Sequence, residues 1–226
     1  LYGSLLMTRS KESNYVPALR FRWLTQFYDA VVSVTTRERI IKQALIQQTH
    51  IREGQQILDL ACGTGTLAIR IKQIEPRVTV TGVDGDPAIL DLAVSKTRRA
   101  EISIRFDNAL SWQLPYPSAH FDRIVSSLFF HHLSWDEKRR TAAELLRVLK
   151  PGGELHVADW GPANNLLVRG MFGLVQLLDG FANTQDNVTG KLPLLFEKSG
   201  FSTILQNQSF NTLLGTIVLY SATRPR

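Results

Sequence analysis

Two carboxylates, set either side of a glycine-punctuated turn, are the residues of this chain best placed to do chemistry. Ile57 to Ala68 reads ILDLACGTGTLA, an apolar run of strand length that carries Asp59 near its end and passes into Gly63-Thr64-Gly65. A second apolar run, 78–83, leads into Asp84 about twenty residues after the glycines, the spacing at which a βαβ unit offers an acid to a ribose diol. Such a pattern binds a nucleoside cofactor. Gly63-Thr64-Gly65-Thr66-Leu67-Ala68 also fits the dinucleotide fingerprint G-x-G-x-x-G/A, so the pattern alone leaves the cofactor open.

Charge separates the alternatives. A pyrophosphate over the helix that follows the turn would meet Asp59 at close range, a like-charge contact costing on the order of several kcal/mol in a partly buried site. A cofactor with a cationic amino-acid end is attracted instead. S-adenosyl-L-methionine carries an ammonium and a sulfonium there and no phosphate.

Asp59-Leu60-Ala61-Cys62-Gly63-Thr64-Gly65 resembles the D/E-x-G-x-G-x-G loop of the Rossmann-like, class I S-adenosylmethionine-dependent methyltransferases, with Ala61 where the first glycine usually stands. Alanine keeps that position small but gives up easy access to positive φ. Three further stretches follow in the family's order: VDGDPAIL at 83–90, LPYPSAHFDRIVSSLFFHHL at 114–133 and LLRVLKPGGELHVADW at 145–160. The look is most similar to the branch containing the ubiquinone and menaquinone C-methyltransferases.

The resemblance implies roles residue by residue. The amides of Gly63, Thr64 and Gly65, with Ala61 before them, face the methionine portion. Asp59 holds the ammonium, directly or through water; capping the next helix is its structural alternative. Asp84 takes the ribose hydroxyls and Gly85 continues that turn. Asp107 and Asn108, followed by Ala109, compete for the adenine amine, with Asp107 preferred. Ser126 offers its backbone carbonyl to the ammonium. Tyr28, in Phe27-Tyr28-Asp29, either reaches the cofactor's carboxylate end or packs as a helix aromatic. Methyl transfer is an in-line displacement in which alignment supplies much of the rate. Where the acceptor must lose a proton, His131, His132 and Asp159 are the candidates.

Those residues need a scaffold. Apolar runs at 56–60, 78–83, 102–106, 121–127 and 154–159 alternate with helical patterns, the signature of a parallel sheet covered on both faces. The resemblance implies an α/β fold with seven strands, mostly parallel, closing with an antiparallel hairpin from about 201–208 and 214–222 after a helix at 194–199. Asp86-Pro87 supplies an N-cap and an N1 proline, and Ser134-Trp135-Asp136-Glu137 is a capping box. A helix from Thr36 to Gln48 opens on Thr35-x-x-Glu38 in the same way. Residues 1–50 read as a leader and helical cap, and 51–226 as the methyltransferase domain. An apolar insert at about 160–190, with Leu167, Met171, Leu174 and Leu178 on one helical face, is expected to close over a greasy substrate together with the helices around Trp23 and Tyr28.

Composition narrows the rest. The chain has 226 residues, 44% of them hydrophobic, enough for one α/β domain with a complete core. A single cysteine excludes a disulfide framework; Cys62 reads as a packing residue in the turn, and no metal-ligand spacing is present. The formal charge of +6 is dispersed, and Lys138-Arg139-Arg140 reads as a solvated helix face. No aromatic-and-basic interleaving calls for a nucleic acid. The positive surface fits transient contact with an anionic membrane, and a homodimer is compatible with the apolar insert. The chain opens with six residues before Met7 and shows no signal-peptide pattern, so a cytoplasmic location is expected. The competing functions are a methyltransferase acting on RNA or protein and a cofactor-binding regulator that has lost transfer.

Overall fold

A computed structural model describes residues 38–162, 186–187, 189–212 and 215–226. Their order is α1 Glu38–Gln48, β1 Gln56–Leu60, α2 Thr66–Ile74, β2 Thr79–Asp84, α3 Pro87–Arg99, β3 Arg105–Asn108, β4 Phe121–Ser127, a 3-10 turn Phe130–His132, α4 Trp135–Val148, β5 Leu149–Trp160, α5 Leu192–Lys198, β6 Ser202–Thr212 and β7 Gly215–Thr223. The strands form one seven-stranded sheet, β3-β2-β1-β4-β5-β7-β6. Its first five strands are parallel and β7 runs antiparallel to both β5 and β6, the expected closing hairpin.

Period-two alternation along the central strands builds two cores. Leu58, Ile124, Leu155, Val157 and Tyr220 face α4 and α5. Ile57, Val125, Ala158, Ile217 and Leu219 face α1 and α2. Strands buried on both sides read as continuous apolar runs, which is why β1 and β4 stand out in the sequence.

Local signals hold where the backbone follows them. Asp86 accepts the Ala88 N–H at 2.8 Å and Pro87 opens α3. Ser134 and Glu137 exchange both capping-box hydrogen bonds at the start of α4. The Thr35 box lies outside the described residues.

Three expectations are corrected. The third strand begins at Arg105 rather than 102, because Glu101 takes positive φ and the Ile102 N–H returns to the Thr97 carbonyl at 3.0 Å, still closing α3. The fifth strand starts at Leu149, so Lys150-Pro151-Gly152-Gly153 belongs to the sheet; a Cβ on Gly153 would lie 2.8 Å from the Lys150 carbonyl oxygen. Lys138 is fully buried, while Arg139 and Arg140 are exposed. It shares the i, i+3, i+4, i+7 stripe of α4 with Thr141, Ala142 and Leu145, and Asp159 and Asp186 oppose the loss of its charge on burial.

Candidate cofactor and active site

Strand order reverses between β1 and β4, and ligands of open α/β sheets bind at the carboxyl ends beside such a switch. Register brings the predicted residues to that edge. Leu60 pairs with Val83 on one side and Ser126 on the other, and Asp84 pairs with Asn108.

The turn after β1 alternates left-handed residues: Ala61, Gly63 and Gly65 have φ of 53°, 53° and 73°. Ala61 therefore adopts the conformation its side chain disfavours. The turn is tied down by the Cys62 N–H on the Val83 carbonyl at 2.9 Å and the Gly65 N–H on the Cys62 carbonyl at 3.0 Å. The two glycines face different surroundings. A Cβ on Gly65 would meet the Phe106 ring at 3.0 Å, whereas among the described residues one on Gly63 would meet nothing within 4 Å. Lys96 donates to the Thr64 hydroxyl at 2.5 Å and to the Thr66 hydroxyl at 3.2 Å. Cys62 is buried, and desolvation pushes its thiol far up, so it packs as a neutral group.

Asp59 is buried beneath the turn, and its carboxylate accepts the Ala68 N–H. Burial pushes its pKa up to about 7 against the opposing charge of Lys42. The helix-capping alternative for this residue is therefore present in the structure. Asp84 accepts the Gly63 N–H at 2.9 Å through one oxygen and the Asp86 N–H at 3.0 Å through the other. Burial raises its pKa against these donors. Each oxygen keeps acceptor capacity, since an ionised carboxyl has about four lone-pair sites. Gly85 lies between this acid and the Asp86 cap.

At the tip of β3, Asn108 donates from Nδ2 to the Asp84 carbonyl at 3.0 Å, and the Ala109 N–H reaches the same oxygen at 3.2 Å. Asp107 accepts the Tyr116 hydroxyl at 2.7 Å and faces Arg105 at 2.8 Å.

Beyond β4, Ser126 is buried and donates to the Leu60 carbonyl at 3.1 Å. The neighbouring Ser127 hydroxyl is buried with no hydrogen-bond partner among the described residues. Asp159, fully buried at the end of β5, organises the segment that leaves β4: it accepts the N–H groups of Phe129, Phe130 and Trp160 and contacts His131 Nδ1 at 2.8 Å. Burial would push this acid up, but His131 and its backbone donors hold it below the ordinary value. An ionised carboxyl only accepts, so the His131 nitrogen that faces Asp159, Nδ1, is the donor in this contact. His132 lies against His131 with ring centroids 3.9 Å apart. Desolvation, and then the neighbouring His131, drive its pKa well below the usual imidazole range, so it is neutral near pH 7.

Among the described residues no group of three or more His, Cys, Asp or Glu is placed to hold a metal ion, and no helix is long and apolar enough to cross a membrane. Tyr28 and the greater part of the 160–190 insert lie outside the described residues. Tyr116 and Ser127 join this neighbourhood without having been singled out by type or spacing, and Lys138, expected on a solvated face, joins it buried. A hydroxyl in the otherwise apolar Leu114-Pro115-Tyr116 turn and the helical phase of Lys138 were the available signals.

Residues 57–153 match the family model of a methyltransferase domain. The ubiquinone/menaquinone biosynthesis C-methyltransferase UbiE of Shewanella halifaxensis is 31% identical over 178 residues, 76% of this chain and 70% of that protein. The chain belongs to the class I S-adenosylmethionine-dependent methyltransferases. The demethylmenaquinone methyltransferase of Deinococcus radiodurans is 37% identical over 134 residues, 59% of this chain; the chain spans about half of that relative's length, 53%. Among solved structures, the YcgJ protein of Bacillus subtilis superposes with a TM-score of 0.67 at 18% identity, covering 83% of this chain and 99% of that one. The shared fold thus covers more of the chain than the 57–153 match.

Proposed function

We propose that this chain binds S-adenosyl-L-methionine and transfers its methyl group to a small apolar or aromatic acceptor, with quinones as the class suggested by the names of its relatives. The observation that carries the reading is the turn between Asp59 and Asp84. It is held in a left-handed alternation, braced from one side by the Asp84 carboxylate, and, among the described residues, open over Gly63.

The residues present fit that cofactor. Asp59 supplies the anion for the ammonium, the backbone of Ala61 to Gly65 the close approach for the amino-acid portion, Asp84 the acceptors for the ribose, and Asp107, Asn108 and Ala109 the edge that meets the base. The Ser126 carbonyl adds an acceptor beside the ammonium. When bound, the cofactor supplies an electrophilic methyl on sulfur. His131 and Asp159 fix the exit of β4. His132, neutral and tilted against His131, is a weak base because desolvation drives its pKa far down, so alignment does most of the work. Tyr28 and the 160–190 insert complete the reading as the cover over the apolar acceptor. Cytoplasmic location, transient contact with an anionic membrane and a homodimer belong to it as well.

Calorimetry and thermal shift test the cofactor. S-adenosylhomocysteine is expected to bind at micromolar affinity or better and to raise the melting temperature, with NAD and NADP silent. Asp84→Ala should weaken that binding more than tenfold, since hydrogen bonds to a charged group are worth about 1.5–3 kcal/mol each. Stabilisation by NAD alone would overturn the assignment. Labelled-methyl transfer into a fractionated cell extract, followed by mass spectrometry, identifies the acceptor; labelling confined to RNA or protein would reject the small-molecule reading.

A further inference from the structure

Tyr116 ends the Leu114-Pro115-Tyr116 turn, and its ring is nearly buried, parallel to His120 with centroids 6.0 Å apart and edge-on to Phe121 at 5.0 Å. The turn is clamped from α4. Glu144 accepts the Leu114 N–H at 2.7 Å, and Arg147, paired with Glu144 at 2.8 Å, donates to the carbonyls of Tyr116 at 2.8 Å and Leu114 at 3.2 Å. A ring held this firmly has one polar atom to place, and it places it on Asp107 Oδ2 at 2.7 Å. The exposed Arg105 guanidinium, which can only donate, spans both Asp107 oxygens at 3.0 and 2.8 Å.

We propose that Tyr116 is a positioning residue that fixes Asp107 as a pure hydrogen-bond acceptor toward the cofactor's base, so that the site selects a 6-aminopurine over a 6-oxopurine. The inference rests on the cofactor reading above. Its logic is one of polarity. Desolvation, and then the hydrogen bond to Asp107, push the Tyr116 hydroxyl far above its ordinary pKa, so it remains a donor throughout the physiological range. With donors from Tyr116 and Arg105 on one side, the capacity left on the carboxylate is acceptor capacity. An exocyclic amine satisfies it; a carbonyl oxygen at the same place meets like charge and an unmet acceptor.

The test compares the affinities of S-adenosylhomocysteine and its deaminated 6-oxo analogue, S-inosylhomocysteine, by calorimetry. The unmodified protein should favour the amino form at least tenfold. Tyr116→Phe keeps the ring and its packing, so the melting temperature should move little while the preference falls at least threefold. Asp107→Asn gives a sharper reading. The Tyr116 hydroxyl then occupies the amide oxygen and turns the amide NH2 toward the ligand, so the preference should shift toward the 6-oxo form. Adding Tyr116→Phe to that variant should erase the new preference. Equal loss of both affinities in Tyr116→Phe would mark Tyr116 as purely structural and overturn the inference. So would an unchanged ratio, with Asn108→Ala moving it instead, because Asn108 would then be the reader. Binding of neither ligand by the unmodified protein would remove the cofactor reading and this inference with it.

Discussion

Asp59 Oδ2 takes the Ala68 N–H at 3.0 Å, so the acid of β1 caps α2 from below the turn while Gly65, at the N-cap position, makes no side-chain cap. One buried carboxylate thereby serves both the helix start and the floor of the proposed cofactor site. Its pKa near 7 records the cost of keeping it dry.

That cost has a sign. The folded form keeps its proton up to about pH 7, whereas the unfolded form loses it near the ordinary 3.8, so this residue's contribution to stability falls as pH rises from about 4 to 7. Asp59→Asn should therefore stabilise the ligand-free protein at pH 8, on the order of 4 kcal/mol, and gain almost nothing at pH 4. Thermal melts at the two pH values decide it. An equal or lower melting temperature at pH 8 would refute it.

The same residue makes cofactor binding pH-linked. A ligand ammonium beside Asp59 favours the ionised form, so S-adenosylhomocysteine should release protons on binding below about pH 7, and its affinity should fall from pH 8 to pH 6. Calorimetry in buffers of different ionisation heat measures the protons directly. In Asp59→Asn this component should vanish; a linkage that survives the substitution would come from another group.

Ala61 holds φ at 53°. A non-glycine residue there costs about 1–2 kcal/mol, partly offset by the greater freedom glycine has when unfolded. Ala61→Gly should accordingly raise the stability by about 0.5–1 kcal/mol, read from denaturant midpoints at constant slope. A destabilised variant would show that the Ala61 methyl packs more than the strain costs.

Gly82 and Gly65 accommodate one ring. A Cβ on Gly82 would lie 2.6 Å from Phe106 and 2.9 Å from Cys62 Sγ. Gly82→Ala should cost about 1–3 kcal/mol by overpacking and weaken S-adenosylhomocysteine binding through the displaced turn. Phe106→Leu in the same protein should recover part of both losses. Additive losses in the double variant would mean that the ring is not what the methyl strikes.

The sequence was most legible where one residue serves one local rule. Asp86, Pro87 and the Ser134-Glu137 box announce helix starts because their partners lie within three residues, and β1 and β4 announce themselves by burial on both faces. The glycine turn and its two acids are visible by residue type and spacing, although the acids' partners lie 9 and 21 residues away. The start of β3 was not, because Glu101 and Ile102 obey the end of α3 rather than the apolar run they begin. Lys138 misled as part of a basic triplet, although the helical period that buries Leu145 also turns Lys138 inward. The Tyr116 to Asp107 contact was invisible for a different reason: it depends on Glu144 and Arg147, about thirty residues further along, holding a turn that no local pattern orients.

The hydrogen bonds that hold Cys62, Gly63 and Gly65 in place come from the protein itself: the Val83 carbonyl, the Asp84 carboxylate and the Cys62 carbonyl. Every one of these partners belongs to the sheet or to the turn, so the strand end and its turn form one braced unit. A cradle braced in this way leaves little ordering for a ligand to impose, and that saving goes into affinity.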